Sequence, residues 1–258
     1  MKQYDYAKQA LQLIDLTSLN DSDTEQNIIE LCHQAHTNGL HVAALCVYPQ
    51  FISLAKTTLA QLALSQVLIA TVVNFPSGND PLDMVIAQTK QALDNGADEI
   101  DCVMPYQALM NGDEEKVLTL IQAVKNECGQ RTLKVIIESG LLADETLIKR
   151  ASELAIEAGA DFIKTSTGKV PINATLLAAS VMLNVIKQSN QSVGFKAAGG
   201  VKTLEQACEY LNLATEIMGP QWINPEHFRF GASGLLHNLQ LVLTERAPEI
   251  TQTPAGDY

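Results

Sequence analysis

The chain has 258 residues, 47% hydrophobic and 18% charged, with a formal net charge of −12 and a pI near 4.8. This much apolar material excludes a disordered or fibrous chain. The acidic balance argues against nucleic acid or anionic membrane as a main partner, since both need a basic footprint, yet a few local cations and backbone N–H groups suffice for one phosphate.

The N-terminus, MKQYDYAKQALQ, is polar and lacks a signal-peptide core, and the longest apolar runs, such as VLIATVV (67–73), are too short to span a bilayer. A cytoplasmic, soluble protein is expected. Five scattered cysteines (Cys32, Cys46, Cys102, Cys128, Cys208) without a CxxC spacing suit a reducing compartment and offer no disulfide framework or zinc site.

In chain order, an opening helix over 2–13 precedes strands at IDLTSL (14–19), VAALCVY (42–48), VLIATVV (67–73) and EIDCVM (99–104). Four more follow at LKVIIE (133–138), FIKTS (162–166), SVGFKA (192–197) and RFGAS (229–233). Segments with 3.6-residue periodicity separate them. One opens with Asp80 as N-cap and Pro81 at the first helical position and closes at Gly96; another starts from Asp144 and closes at Gly159. Gly-Ala-Asp then recurs before a strand, at 96–98 and 159–161. Eight strand–helix units of about 30 residues, plus the first helix, predict a (β/α)₈ TIM barrel in one domain over 1–258. An open doubly wound sheet shares the alternation. The tail TQTPAGDY (251–258) breaks the pattern and is expected to be mobile.

Strands buried on both faces should be nearly continuous Val, Ile and Leu. Here Asp15, Asp101, Lys134, Glu138, Lys164 and Lys196 interrupt five of them. Burying charge is costly unless it is paired, and inward groups at the C-terminal strand ends of a barrel converge on the active site. Lys164 and Lys196 fall on consecutive strands, where like charge and burial both lower a lysine pKa and yield the free amine that carbonyl addition needs. Asp101 can hold the remaining cation or move protons through water. Purely structural ion pairs are the plainer reading, less apt for three lysines and three carboxylates together. On spacing alone, either lysine of the pair could attack.

Three glycine-rich loops, STGKV (166–170), AAGGVKT (197–203) and FGASG (230–234), follow the last three strands, each read as lying beside a helix start that attracts an anion. Lys169 and Lys202 could add charge. His33, His36 and His41 have no carboxylate at a familiar metal spacing; His33 and His36 read as an outer helix surface. Cys46 reads as a packed thiol.

The segments IDLTSLND, ATVVNFPSG, ADEIDCVMPY, LKVIIESG, DFIKTSTGK, VGFKAAGGVKT and RFGASGLL together resemble the deoxyribose-phosphate aldolases, a class I, Schiff-base-forming family of TIM barrels, across nearly the whole chain. The resemblance implies reversible cleavage of 2-deoxy-D-ribose 5-phosphate to D-glyceraldehyde 3-phosphate and acetaldehyde, with no metal and no cofactor. It assigns the imine to Lys164, the role of pKa-lowering partner to Lys196 and a proton relay to Asp101. Asp15 and Lys134 match further polar positions of the pocket. Gly168, Lys169, Gly199, Gly200, Val201, Gly231, Ala232 and Ser233 fall where the family holds phosphate, and Tyr258 resembles a C-terminal tyrosine that assists proton transfer. The expected partner is therefore a phosphosugar; a homodimer is compatible with the sequence.

Three positions depart from the family pattern: Ala197 for proline, a change expected to loosen its loop, Gly234 for a second serine, and Lys202 for arginine. The alternatives are another phosphosugar-acting barrel enzyme and a non-catalytic sugar-phosphate binder. Both fit the barrel and loops equally, and the Lys164, Lys196 and Asp101 set less well.

Overall fold

In a computed structural model, residues 3–244 are described. Helix α1 (Gln3–Gln12) leads into β1 (Ile14–Ser18), α2 (Glu25–Gln34), the short strands β2 (His36–Thr37) and β3 (Leu40–His41), then β4 (Ala44–Val47) and α3 (Ile52–Gln61). The chain continues through β5 (Leu68–Val73), α4 (Leu82–Asp94), β6 (Glu99–Val103), α5 (Tyr106–Met110), α6 (Glu114–Cys128) and β7 (Thr132–Ile136). It then forms α7 (Ser139–Leu142), α8 (Glu145–Glu157), β8 (Phe162–Lys164), α9 (Leu176–Ser189), β9 (Gly194–Ala198), α10 (Leu204–Met218), β10 (Phe228–Ala232) and α11 (Gly234–Thr244).

Eight of the strands close into a parallel barrel in the order β1-β10-β9-β8-β7-β6-β5-β4. Each predicted strand appears, and the (β/α)₈ architecture with its extra N-terminal helix holds. Beside the barrel, β2 and β3 form an antiparallel hairpin.

Alternation of side chains along a strand explains how one sequence serves two environments. Ile14 and Leu16, Ile100 and Cys102, Leu133 and Val135, Phe195 and Ala197, and Phe228 and Phe230 all join the main apolar core. The residues between them, Asp15, Asp101, Lys134, Lys196 and Arg229, are buried and charged. A second, small apolar cluster of Leu19, Cys46, Ala70 and Val72 is separate from that core.

Some boundaries differ from expectation. Helix α4 starts one residue later than predicted, with Pro81 as its N-cap; the Asp80 carboxylate instead accepts from Gln88 Nε2 at 2.9 Å. Helix α2 ends at Gln34, so His36 lies on β2, opposite His41, and not on a helix. Glu138 falls two residues beyond β7, in a left-handed turn at φ 54°. Asp144 does cap α8, accepting from Thr146 N and Leu147 N at 2.8 and 3.1 Å. Among the described residues, no helix is long and apolar enough to cross a membrane. The tail at 251–258 lies outside the described residues.

Candidate active site

Seven ionisable side chains converge inside the barrel. Asp101 is the hub: its Oδ2 accepts from Lys164 Nζ at 2.7 Å and from Lys196 Nζ at 2.8 Å, and its Oδ1 accepts from Lys134 Nζ at 3.0 Å. Asp15 Oδ2 accepts from Lys196 Nζ at 2.5 Å and lies 3.5 Å from Lys134 Nζ. Four of the predicted inward residues and the nucleophile candidate thus meet as expected. Glu138 does not join them. It accepts from the Thr167 hydroxyl at 2.6 Å and, at 3.3 Å, from the Thr167 N–H.

Two members escaped the sequence reading. Glu99 takes Lys134 Nζ at 2.5 Å and Arg229 Nη2 at 3.0 Å, and Arg229 Nη1 reaches Asp15 Oδ1 at 2.6 Å. Period-two counting would have found both: Glu99 stands two residues before Asp101, and Arg229 two before Gly231.

The buried lysines are not equivalent. Lys134 contacts three carboxylates and Lys196 two, whereas Lys164 has only the Asp101 oxygen that it shares with Lys196. Burial pulls the Lys164 amine below the ordinary lysine value; Asp101 opposes this and Lys196 reinforces it. Burial pulls on Lys196 as well, but Asp101 and Asp15 outweigh it, and its pKa ends raised. Lys134 is raised likewise, with Asp101, Glu99 and Asp15 overcoming burial. For Asp101 burial is again the largest influence, yet the three lysines together hold its carboxyl well below the usual range.

Above this layer opens a cavity of about 550 Å³, a size suited to a small ligand. Lys164 lines it and Lys134 and Lys196 do not. The cavity wall also includes Thr17, Ser18 and every residue expected at the phosphate: Gly168, Lys169, Gly199, Gly200, Val201, Gly231, Ala232 and Ser233. Lys202 and Gly234 border it too.

The loops are not alike. Helix α11 starts at Gly234, directly after β10, so its N-terminal amides border the cavity. The loop after β8 runs to Thr175 before α9 begins, so Gly168 is not at a helix start as expected. Lys169 Nζ donates to Leu19 O at 2.5 Å, tying that loop to the end of β1. Ala197 sits within β9, paired with Phe230, so no loop is loosened there. Gly231 has a spatial role as well: a Cβ on it would come within 3.0 Å of Lys196 Cε.

Cys46 is buried, with its thiol pushed up by burial. Among the described residues no group of three or more His, Cys, Asp or Glu is placed to hold a metal ion. Tyr258 lies outside the described residues.

A closed barrel with an open cavity at the C-terminal strand ends and a buried amine in its wall is a TIM barrel with a ligand-sized site where barrels of this kind carry their chemistry. The chain belongs to the DeoC/LacD family of aldolases, whose family profile matches residues 9–236. It is similar to an apo-form protein from Toxoplasma gondii ME49 provisionally assigned as a deoxyribose-phosphate aldolase, at 25% identity and TM-score 0.88, over 94% of this chain and 97% of that one. A Coccidioides immitis protein with the same provisional assignment shares 31% identity at TM-score 0.79, over 90% and 85% of the two chains. A tetrameric deoxyribose phosphate aldolase from Aeropyrum pernix shares the fold, at 21% identity, TM-score 0.72 and coverage of 94% and 92%. The protein is thus an aldolase, a carbon–carbon lyase.

Proposed function

We propose that this aldolase reversibly cleaves 2-deoxy-D-ribose 5-phosphate into D-glyceraldehyde 3-phosphate and acetaldehyde through an imine on Lys164. One observation carries the choice of nucleophile. Among the described residues, three lysines are buried in the barrel; of these only Lys164 lines the cavity, and only it has a single, shared carboxylate contact. An amine so placed is accessible to a carbonyl carbon and least committed to its proton. The family and the provisional assignments of the relatives support the reaction and its substrate.

In the cleavage direction, the Lys164 amine adds to the aldehyde carbon of the open-chain sugar and water departs, leaving a protonated imine. A base takes the proton of the C3 hydroxyl. The C2–C3 bond then breaks, its electron pair moves toward the imine nitrogen, and glyceraldehyde 3-phosphate leaves an enamine behind. Protonation at C2 and hydrolysis release acetaldehyde and restore the amine. The iminium acts as the electron sink, so the step avoids an unstabilised carbanion. Asp101, in contact with both Lys164 and Lys196, is the member suited to pass protons through a water. Asp15 and Lys134 hold that group in register. The glycine loops, Lys169, Lys202 and the α11 N-terminus form a cradle of N–H groups and cations for the substrate phosphate. Tyr258 is proposed as an additional proton donor or acceptor from the tail.

The test is chemical trapping. Incubation with acetaldehyde followed by borohydride reduction should leave a stable adduct on the peptide containing Lys164. Its absence, with turnover of the phosphosugar intact, would sink the imine.

A further inference from the structure

Among the described residues, the charge count inside the barrel does not balance. Four cationic groups, Lys134, Lys164, Lys196 and Arg229, meet three carboxylates, Asp15, Glu99 and Asp101. The layer becomes neutral when one of the four sheds a proton. Arginine stays charged in proteins. Arg229 is buried, with its guanidinium 5.7 Å from the centroid of the Phe162 ring. Its position is built: a Cβ on Gly194 would come within 2.4 Å of that ring, so the glycine leaves the ring its place.

Register adds a second observation. Arg229 pairs with Lys196, and Lys196 with Lys164, so β10, β9 and β8 carry three positive-type side chains in one row. The acids stand on β6 and β1. Arg229 draws on Asp15 and Glu99; Lys134 uses both of these carboxylates, and Lys196 uses Asp15. Those lysines must therefore lean on Asp101, and Lys164 is left with a share of one oxygen.

We propose that Arg229 and Glu99 are positioning residues for the nucleophile, with Arg229 supplying the surplus positive charge that denies Lys164 a carboxylate of its own and Glu99 limiting that surplus. This rests on Lys164 being the imine-forming amine. The other groups near Lys164 are Asp101 from β6, Lys196 from β9, Cys46 from β4 and Glu138 from the turn after β7. Burial raises the pKa of both the Cys46 thiol and the Glu138 carboxyl; Glu138 is hydrogen-bonded to Thr167, and the salt bridge of Lys164 goes to Asp101, not to Glu138.

The test compares Arg229→Met, Glu99→Gln and the double variant by the pH dependence of adduct formation on Lys164 with acetaldehyde and borohydride. Removing Arg229 frees carboxylate charge for the Lys164 ammonium, so the pH at which the amine becomes reactive should rise. Removing Glu99 does the reverse, and it should fall. Each shift should be about one pH unit, as expected for a unit charge two strand spacings away at an effective dielectric constant of about 20. The double variant should return close to the parent profile. A purely structural role would move both single variants alike, or neither, and that result overturns the inference.

Failure of the unaltered protein to trap on Lys164 would instead remove the imine reading beneath it. Should Arg229→Met not fold, Glu99→Gln carries the test in its own direction. Titration of nitrogen-labelled lysines in the unaltered protein needs no substitution. One buried amine should lose its proton while two keep theirs; three titrating together would overturn the proposal.

Discussion

The barrel interior has two unlike walls. On the β4–β5 side it presents Cys46, Ala70 and Val72, joined by Leu19, with no charge among them. On the side formed by β6 to β10 and β1 it presents seven ionisable groups in one hydrogen-bonded net. The apolar wall offers an ammonium nothing in place of water. The charged wall offers carboxylates, but too few. A lysine exposed to both is the one whose proton is least secure, and that describes Lys164: burial is the largest influence on it, and its one carboxylate is shared. Lys196, in the same register one strand away, is held by two carboxylates and keeps its charge.

The sharpest way to break this contrast is Lys164→Leu. Adduct and turnover should vanish, with kcat reduced more than about a thousandfold. Stability should hold or rise. The folded amine has a lowered pKa, so its protonation opposes folding. That cost is complete below the folded pKa and disappears as pH rises through the ordinary lysine value of about 10.4. A thermal melt at neutral pH checks the sign.

Lys196→Met should act differently. Asp101 and Asp15 then lose a partner, Lys164 gains their charge, and the pH at which Lys164 becomes reactive should move upward while kcat falls by about a hundredfold. A pH–rate profile decides; an unmoved acid limb would contradict the partition of charge.

Asp15→Asn tests the carboxylate side. Burial raises the Asp15 pKa, but Lys196, Lys134 and Arg229 more than offset it and hold the group below its ordinary value. With the folded pKa depressed, its contribution to stability is present above the unfolded value of about 3.9 and is lost as pH falls through the folded value. The variant should therefore flatten the acid end of the stability curve. At neutral pH it should cost about 3–5 kcal/mol, because buried cations lose a partner. Denaturant melts across pH 3 to 7 measure both.

Much of this was legible in residues. Strand runs and helix caps such as Asp144 declared the barrel, since burial on both faces demands apolar runs and the βα repeat leaves few other folds. Charges at inward positions nominated Asp15, Asp101, Lys134, Lys164 and Lys196. Glu99 and Arg229 were equally visible by period two but stand at the first positions of their strand segments, where a charge reads as an end. The β2–β3 hairpin carries its own signal in Asn38-Gly39, both at positive φ. The preference for Lys164 over Lys196 was not legible from spacing, because it depends on which amine meets the cavity and how three acids are divided. Glu138 misled for a similar reason: a left-handed turn rotates it away from the net, and no local residue pattern announces a non-glycine there.

The smallest effect separates the apolar wall from ordinary stability. Val72→Ala removes two methyl groups from a buried site and should cost about 1–2 kcal/mol. Asp144→Ala, at the α8 N-cap on the outside of the barrel, should cost about 1 kcal/mol by leaving two helix N–H groups without their acceptor. The two variants thus lose similar stability in different places. Only the first gives water room beside the charged layer, which eases desolvation of Lys164. Its reactive pH should rise by a few tenths of a unit while that of Asp144→Ala stays put. Equal profiles would mean that the acids alone govern the amine, and that the apolar wall contributes packing and nothing to the chemistry.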